Sequence, residues 1–272
     1  MRNTLPHQLR RSVRHAPRVD LSIVAPAYDE EVNLGPLFDA IEDALGGRPS
    51  ADVPAIDWEL VLVDDGSRDS TAAVIERLCD RSPRVTGVHL ARNCGQTAAI
   101  ASGVAVARGR LVATIDADLQ NDPRDLPRMI AELEGADAVV GYRTERRDSL
   151  LRRLSSRVAN AVRNGFIGDP VRDTGCALRV FRASALEALP LFEGMHRFLP
   201  TLMRIHGFDV TEVPVAHRPR AGGRAKYGVL NRVFCAARDM LAVRWMCSRV
   251  IRVPVARVEG AVGGGVRATA DA

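Results

Sequence analysis

The chain predicts an α/β protein built on a mostly parallel sheet with helices on both faces. Three observations lead there. Short β-rich runs alternate with helix-like segments from residue 20 to 215, the pattern of strand–helix–strand units. Polar clusters follow the ends of the apolar runs, where open α/β sheets bind ligands. At 272 residues the chain has the length for one large domain with a substantial core plus an appendage.

The elements follow in order. A strand over 21–25 runs into Tyr28-Asp29-Glu30, and a helix over 31–45 follows. The second strand, 59–63, leads to Asp64-Asp65-Gly66-Ser67 and a helix over 70–80. The third, 85–90, precedes Arg92-Asn93 and a helix over 96–107. The fourth, 111–115, ends in Asp116-Ala117-Asp118-Leu119-Gln120 before a helix over 125–134. A fifth strand over 136–140, a helix over 150–164 and strands over 177–181 and 210–215 complete the pattern. Four polar clusters on one edge of a sheet make one site.

Asp116-Ala117-Asp118 carries the most chemistry. Side chains of an extended segment repeat every two residues, so the two carboxylates point the same way and can share one hard cation. Carboxylate and amide oxygens, with little sulfur or imidazole nearby, suit Mg²⁺ or Mn²⁺, metals that commonly act on phosphates. The competing reading is an acidic turn capping the next helix, with Asn121-Asp122-Pro123 as the turn.

Composition narrows the function class. Apolar content of 46% and charged content of 26% are those of a globular protein. The five cysteines are scattered with no C-x-x-C pair, which argues against a disulfide framework or structural zinc and points to a reducing compartment. A net charge of +5 and a pI near 9.3 favour an anionic partner. With no nucleic-acid module and only 4% aromatics for base stacking, a membrane surface or phosphates fit better than nucleic acid. Residues 1–18 form a basic arm without the apolar core of a secretory signal. No run of about 18 apolar residues is present to span a membrane.

Beyond residue 216 the pattern changes. Residues 217–228 read as a mobile, basic, glycine-containing loop, and 253–272 as a disordered tail. Between them, over 229–252, Val229, Val233, Ala236, Met240, Val243, Cys247 and Val250 recur at helical spacing. Arg232, Arg238, Arg244, Arg249 and Arg252 line other faces, which predicts an interfacial helix on anionic lipid. The alternative is that this stripe packs on the domain or on a second subunit; oligomeric state is left open.

In order, six motifs resemble glycosyltransferase family 2, in particular its polyprenyl-phosphate branch. They are Val24 through Glu31, Val63-Asp64-Asp65-Gly66-Ser67, Arg92-Asn93-Cys94-Gly95-Gln96, Asp116 through Gln120, Asp173-Thr174-Gly175 with Arg179, and Arg220 through Tyr227. The resemblance spans most of the chain and implies the GT-A fold, a Rossmann-like sheet that binds a nucleotide-diphosphosugar.

It also implies roles. Pro26, Tyr28 and Glu30 would wall and hydrogen-bond the base, Asp65 would accept from a ribose hydroxyl, and Asn93, Gly95, Asp116 and Ala117 would complete the nucleotide site. For the Asp64-Asp65 pair the competing role is a helix N-cap, with Asp64 capping the helix that Ser67-x-x-Ser70 opens. Asp116 and Asp118 would hold Mg²⁺ or Mn²⁺ against the diphosphate with Gln120 in support. Asp173 would lie near the acceptor, orienting it rather than deprotonating it, because a phosphate is already ionised; a salt bridge to Arg172 or Arg179 is the alternative.

Arg143, Arg152, Ser156 and Arg179 would grip the acceptor phosphate, with Asn160 on the same helix face as Arg152 and Ser156. Arg220 and Lys226, in the basic loop, would close over the diphosphate, with Gly222 and Gly223 as its hinge. Ala225 departs from the serine usual there. Of the histidines, only His217, beside the loop, is expected to be functional.

The implied reaction is an inverting, metal-dependent transfer of a sugar from a nucleotide-diphosphosugar, UDP-linked in preference to GDP-mannose, to a polyprenyl phosphate at the cytoplasmic face of the membrane. A family 2 enzyme with a soluble or glycan acceptor, and a non-catalytic nucleotide-sugar-binding protein, are the competing classes.

Overall fold

The computed structural model describes residues 19–46, 56–144, 171–218 and 229–249, with Gly165 and Gly168; side chains within 229–237 are outside that description. Seven strands form one sheet: β1 (Val19–Ala27), β2 (Trp58–Asp64), β3 (Val85–His89), β4 (Gly109–Thr114), β5 (Ala138–Arg143), β6 (Arg179–Arg182) and β7 (Val210–Val215). Their order is β3-β2-β1-β4-β6-β5-β7. Strands β1 to β4 pair in parallel, as does β5 with β7, while β6 runs antiparallel between β4 and β5.

The helices are α1 (Leu34–Leu45), α2 (Thr71–Arg81), α3 (Gln96–Val106), α4 (Leu126–Ala131), α5 (Ala183–Glu187), α6 (Leu199–Ile205) and α7 (Val229–Ser248). The expected helix over 125–134 is broken into α4 flanked by 3₁₀ turns at Pro123–Asp125 and Glu132–Gly135. Pro123 and Pro127 supply no backbone N–H, so helix can begin at them but not run through them.

Strand alternation assigns the two cores. Leu21, Ile23 and Ala25 of β1, with Leu60 and Leu62 of β2, join α1 and α2 in one cluster. Val24, Val61 and Val63, pointing the other way, pack with Ala99 of α3, Phe181, and Leu199, Leu202 and Met203 of α6. Close approach on this second face requires glycine at one position: a Cβ on Gly103 of α3 would lie 2.4 Å from a methyl of Val24.

Helix α7 docks on the second cluster. Val243 is fully buried there, and Met240, Met246 and Cys247 pack against it. The stripe that the sequence directs toward a membrane therefore turns, over its described part, onto the domain itself. Leu241 and Trp245, one turn apart on another face, are each 62% exposed. Among the described residues no helix is long and apolar enough to cross a membrane. The arm 1–18, the helix expected over 150–164, residues 219–228 of the basic loop and the tail 253–272 lie outside the described residues.

Candidate functional site

The site is built where β1, β2, β4, β5 and β7 end. Strand β4 stops at Thr114, so Asp116 and Asp118 stand in the turn beyond it and not on the strand. Asp116 is half-buried and Asp118 buried. Leu119, between Asp118 and Gln120, has a φ of 62°, a left-handed conformation that costs a side-chain-bearing residue energy and concentrates at functional sites. Gln96, the first residue of α3, donates its side-chain amide to Asp116 Oδ1 at 2.9 Å, and the Gln120 N–H donates to Asp118 Oδ1 at 3.2 Å.

Among the described residues no group of three His, Cys, Asp or Glu side chains could hold a metal. Two carboxylates with amides nearby still suit Mg²⁺ or Mn²⁺, which are commonly held by one or two carboxylates and complete their shell with phosphate oxygens and water. The methyl of Ala117 belongs to the core, so any nucleotide contact there falls to its backbone.

The other residues expected to bind the nucleotide surround this turn. Pro26 lies on β1 beside Val63, Tyr28 is half-buried beyond the strand, and Glu30 is buried with its carboxylate accepting from the Asn33 amide. Asp29 has a φ of 50° and accepts from the Arg68 N–H at 2.8 Å, tying the β1 turn to the β2 turn.

Both Asp65 oxygens accept backbone N–H groups, from Cys94 at 2.7 Å and Gly95 at 2.9 Å. Burial pushes its carboxyl up, against those hydrogen bonds. Asp65 thus shapes the Asn93–Gly95 turn, while Asp64 accepts the Ser67 N–H at 2.8 Å within the turn that precedes α2 and does not cap that helix, whose N-cap is Ser70. Asn93 is exposed, and Gly95, at a φ of 89°, opens α3.

On the side of the turn where the sequence places acceptor-binding residues, β6 fixes the geometry. Arg179, its first residue, sits in register with Thr114 of β4 and Val140 of β5. It lies two residues along from Asp116 on one side and three from Arg143 on the other. Its guanidinium donates to the carbonyls of Thr174, at 2.9 Å, and His196. Burial pushes Arg179 down from its ordinary value, countered by the nearby Cys176, Asp116 and Asp173. No carboxylate among the described residues forms a contact ion pair with it, so this arginine braces the turn carrying Asp173 through carbonyls and places its positive charge between the Asp116–Asp118 turn and the Arg143–Asp173 pair.

Arg143 is the last residue of β5, beyond the expected end of that strand. It forks onto Asp173, Nε to Oδ2 at 2.7 Å and a terminal nitrogen to Oδ1 at 2.9 Å. Neither Arg172 nor Arg179 is the partner of Asp173 in this fork: Arg172 pairs with Glu212 and Arg179 with carbonyls. A Cβ on Gly175 would come within 2.7 Å of the Arg143 guanidinium, which gives that glycine a packing reason.

The end of β7 returns to the acidic turn. His217 bridges to Asn121, the Arg218 N–H donates to the Gln120 carbonyl at 2.8 Å, and the Arg218 side chain meets Asp122 at 2.5 Å. The basic loop therefore leaves the domain beside Asp118, and its first two expected residues are fixed. Arg152, Ser156, Asn160, Arg220 and Lys226 lie outside the described residues.

Sequence reasoning passed over Gln96, Asp122, Arg218 and His196 as site residues. Gln96 carried a signal as the last residue of the Arg92–Gln96 motif, Asp122 as part of the Asn121–Pro123 turn and Arg218 as part of the basic loop, whereas His196 carried none.

Comparison with known proteins accords with this geometry. The chain is 40% identical over 231 residues to dodecaprenyl-phosphate galacturonate synthase of Rhizobium johnstonii, covering 83% of this chain and 66% of the relative. It is 37% identical over 227 residues to undecaprenyl-phosphate 4-deoxy-4-formamido-L-arabinose transferase of Shewanella sediminis, covering 81% and 66%. The chain thus spans just under two thirds of the length of these relatives.

The fold matches glucosyl-3-phosphoglycerate synthase of Mycobacterium tuberculosis, solved with Mn²⁺, UDP and phosphoglyceric acid, with a TM-score of 0.61 at 20% identity over 86% of this chain and 80% of that one. The same enzyme with Mg²⁺ and UDP also gives 0.61 at 20% identity, covering 88% and 82%. The sheet is thereby that of the GT-A transferases. The family model described as "Glycosyl transferase family 2" matches residues 22–189, and the chain belongs to that family.

Proposed function

We propose that the protein transfers a sugar from a nucleotide-diphosphosugar to the phosphate of a polyprenyl lipid at the cytoplasmic face of a membrane. The observation that carries this reading is the register of β6, which sets Arg179 between the Asp116–Asp118 turn and the Arg143–Asp173 pair. Donor-side carboxylates and acceptor-side guanidiniums then share one edge of the sheet, as a direct displacement requires. The relatives' names, which specify polyprenyl-phosphate acceptors, support the lipid half. UDP in the solved neighbours supports a UDP-sugar over GDP-mannose.

On this reading residues 19–216 are the catalytic domain and 217–228 its lid, rooted at His217 and Arg218. Asp116 and Asp118 hold a divalent cation, with Gln96 fixing Asp116 and Gln120 in support. When bound, that cation offsets the charge developing on the departing nucleoside diphosphate. Pro26, Tyr28 and Glu30 receive the base. Asp65 preorganises the Asn93–Gly95 turn against the nucleotide.

Arg143 exchanges its fork from Asp173 to the acceptor phosphate, joined by Arg152 and Ser156, while Asp173 orients the incoming oxygen. Arg179 contributes positive potential from behind. Arg220 and Lys226 close over the diphosphate. One displacement inverts the anomeric centre. On the membrane side, the exposed face of α7 with Leu241, Arg244 and Trp245, and Arg249 just past its end, is the surface that meets anionic lipid.

The test is turnover by the purified full chain with Mn²⁺, polyprenyl phosphate in anionic vesicles and a panel of UDP-sugars beside GDP-mannose. Cation-dependent nucleotide release that requires the lipid phosphate is expected. Turnover only on a water-soluble acceptor, or none with any donor, defeats the reading.

A further inference from the structure

The segment 193–198 touches three parts of the molecule: the start of α3, Arg179 of β6 and helix α7. Gly194, buried with a φ of 88°, donates its N–H to Thr97 Oγ1 at 3.0 Å. The Thr97 hydroxyl also lies 2.6 Å from His196 Nδ1, in a hydrogen bond whose direction follows the ring tautomer. Thr97 is next to Gln96, whose amide holds Asp116 at 2.9 Å. The His196 carbonyl accepts from Arg179, whose other terminal nitrogen holds the Thr174 carbonyl, one residue from Asp173. One residue thus contacts the start of α3 through its ring and the acceptor-side brace through its backbone.

Helix α7 backs this segment. The buried carboxylate of Asp239 fills the place a side chain at position 194 would take: a Cβ there would sit 2.3 Å from Oδ2. Met195 and Phe198, on either side of His196, are buried in the cluster that receives Val243 of α7. The segment is therefore clamped between the helix and the sheet, and its conformation is set by packing before any ligand arrives.

We infer that His196 is a positioning residue: it couples the cation-side contact Gln96–Asp116 to the acceptor-side brace Arg179–Thr174, so that the two halves of the site keep one spacing. This rests on the functional reading above for what the spacing serves. It concerns a histidine that sequence reasoning set aside as structural.

The experiment uses the full chain and Mn²⁺-dependent UDP binding by calorimetry. His196→Phe, which keeps a ring without Nδ1, and Thr97→Val are each expected to weaken UDP about three- to tenfold, the net worth of one hydrogen bond. The double variant is expected to be no weaker than the poorer single variant, because both remove the same contact. His196→Asn, whose amide reaches about the position of Nδ1, is expected to recover most of the loss.

Hydrogen exchange of the ligand-free protein supplies a readout independent of function. His196→Phe is expected to speed exchange at both 96–97 and 173–175. Multiplicative losses in the double variant, an Asn substitution as poor as Phe, or unchanged exchange at 173–175 overturns the inference. If the wild type ignores UDP with Mn²⁺ while exchange rises in both segments, the coupling stands and the functional reading falls.

Discussion

Arg143 and Asp173, thirty residues apart in sequence, close a two-pronged ion pair at 2.7 and 2.9 Å at the end of β5. Asp173 is 5% exposed and Arg143 21%, so the pair is poorly screened and each partner neutralises the other. An acceptor phosphate is a stronger anion in the same fork geometry, which makes exchange of Arg143 from carboxylate to phosphate chemically reasonable.

Arg143→Ala is expected to raise the acceptor KM and lower kcat/KM about 10- to 100-fold, since hydrogen bonds to charged groups contribute about 1.5–3 kcal/mol. Asp173→Asn keeps the size but not the fork, and is expected to depress kcat more than KM. Steady-state kinetics on lipid vesicles, with the double variant closing the cycle, checks this. Additive losses would show that the two residues do not act as a pair.

At the acidic turn, Asp118→Ala and Asp116→Ala are each expected to remove measurable turnover at ordinary Mn²⁺. Gln96→Ala should cost far less, about three- to tenfold, because it deletes one hydrogen bond to Asp116 and leaves the carboxylate. The ranking is read from Mn²⁺ titrations of activity: for Gln96→Ala the midpoint moves to higher metal and the plateau largely returns. Full activity of Asp118→Ala contradicts its assignment to the metal.

Asp122 gives a pH signature at the root of the basic loop. Its side chain accepts from Arg124 and meets Arg218, and the Arg124 hydrogen bond holds its carboxyl below the usual aspartate range. A lowered folded-state pKa means stability present above the ordinary value of 3.8 and lost as pH falls through the lowered one. Asp122 also caps the 3₁₀ turn before α4. Asp122→Ala is therefore expected to cost about 1 kcal/mol near neutrality, the typical worth of a cap. That difference should shrink below about pH 4 as the wild-type carboxyl gains its proton, in urea melts of both proteins across the range. A gap that is constant down to pH 3 refutes it.

How much of this was legible beforehand depends on sequence distance. The seven strands were legible as short β-rich segments, most plainly the apolar β1, β2 and β4, and the polar clusters Asp64-Asp65 and Asp116–Gln120 stand out because they follow strand ends. The partner of Asp173 was not legible: Arg143 reaches it only because β6 inserts antiparallel between β4 and β5, a register that no local pattern encodes. Gln96 and His196 escaped for the same reason, their contacts spanning 20 and 99 residues. What position alone could not give for Asp65 is that its oxygens also hold the Cys94–Gly95 backbone, a contact that depends on where the third crossover returns.

Helix α7 tests the reading of amphipathic stripes. Periodicity identifies a face but does not say what covers it. Here Val243 is fully buried against the domain, while Leu241 and Trp245 are exposed with Arg244 and Arg249 close in sequence. Substitutions on the two faces should therefore separate stability from lipid binding. Val243→Ala removes two buried methyl-sized groups and is expected to destabilise the fold by about 1–3 kcal/mol with little change in vesicle binding.

Trp245→Glu and Leu241→Glu are expected to leave the melting transition nearly unchanged and to weaken sedimentation with anionic vesicles about tenfold each, near the lower end of what burying a large apolar side chain contributes. Raised salt should weaken wild-type binding as well, since arginines supply part of the attraction. If Val243→Ala abolishes vesicle binding and Trp245→Glu does not, the buried stripe is the lipid face and α7 must leave the domain to reach the membrane.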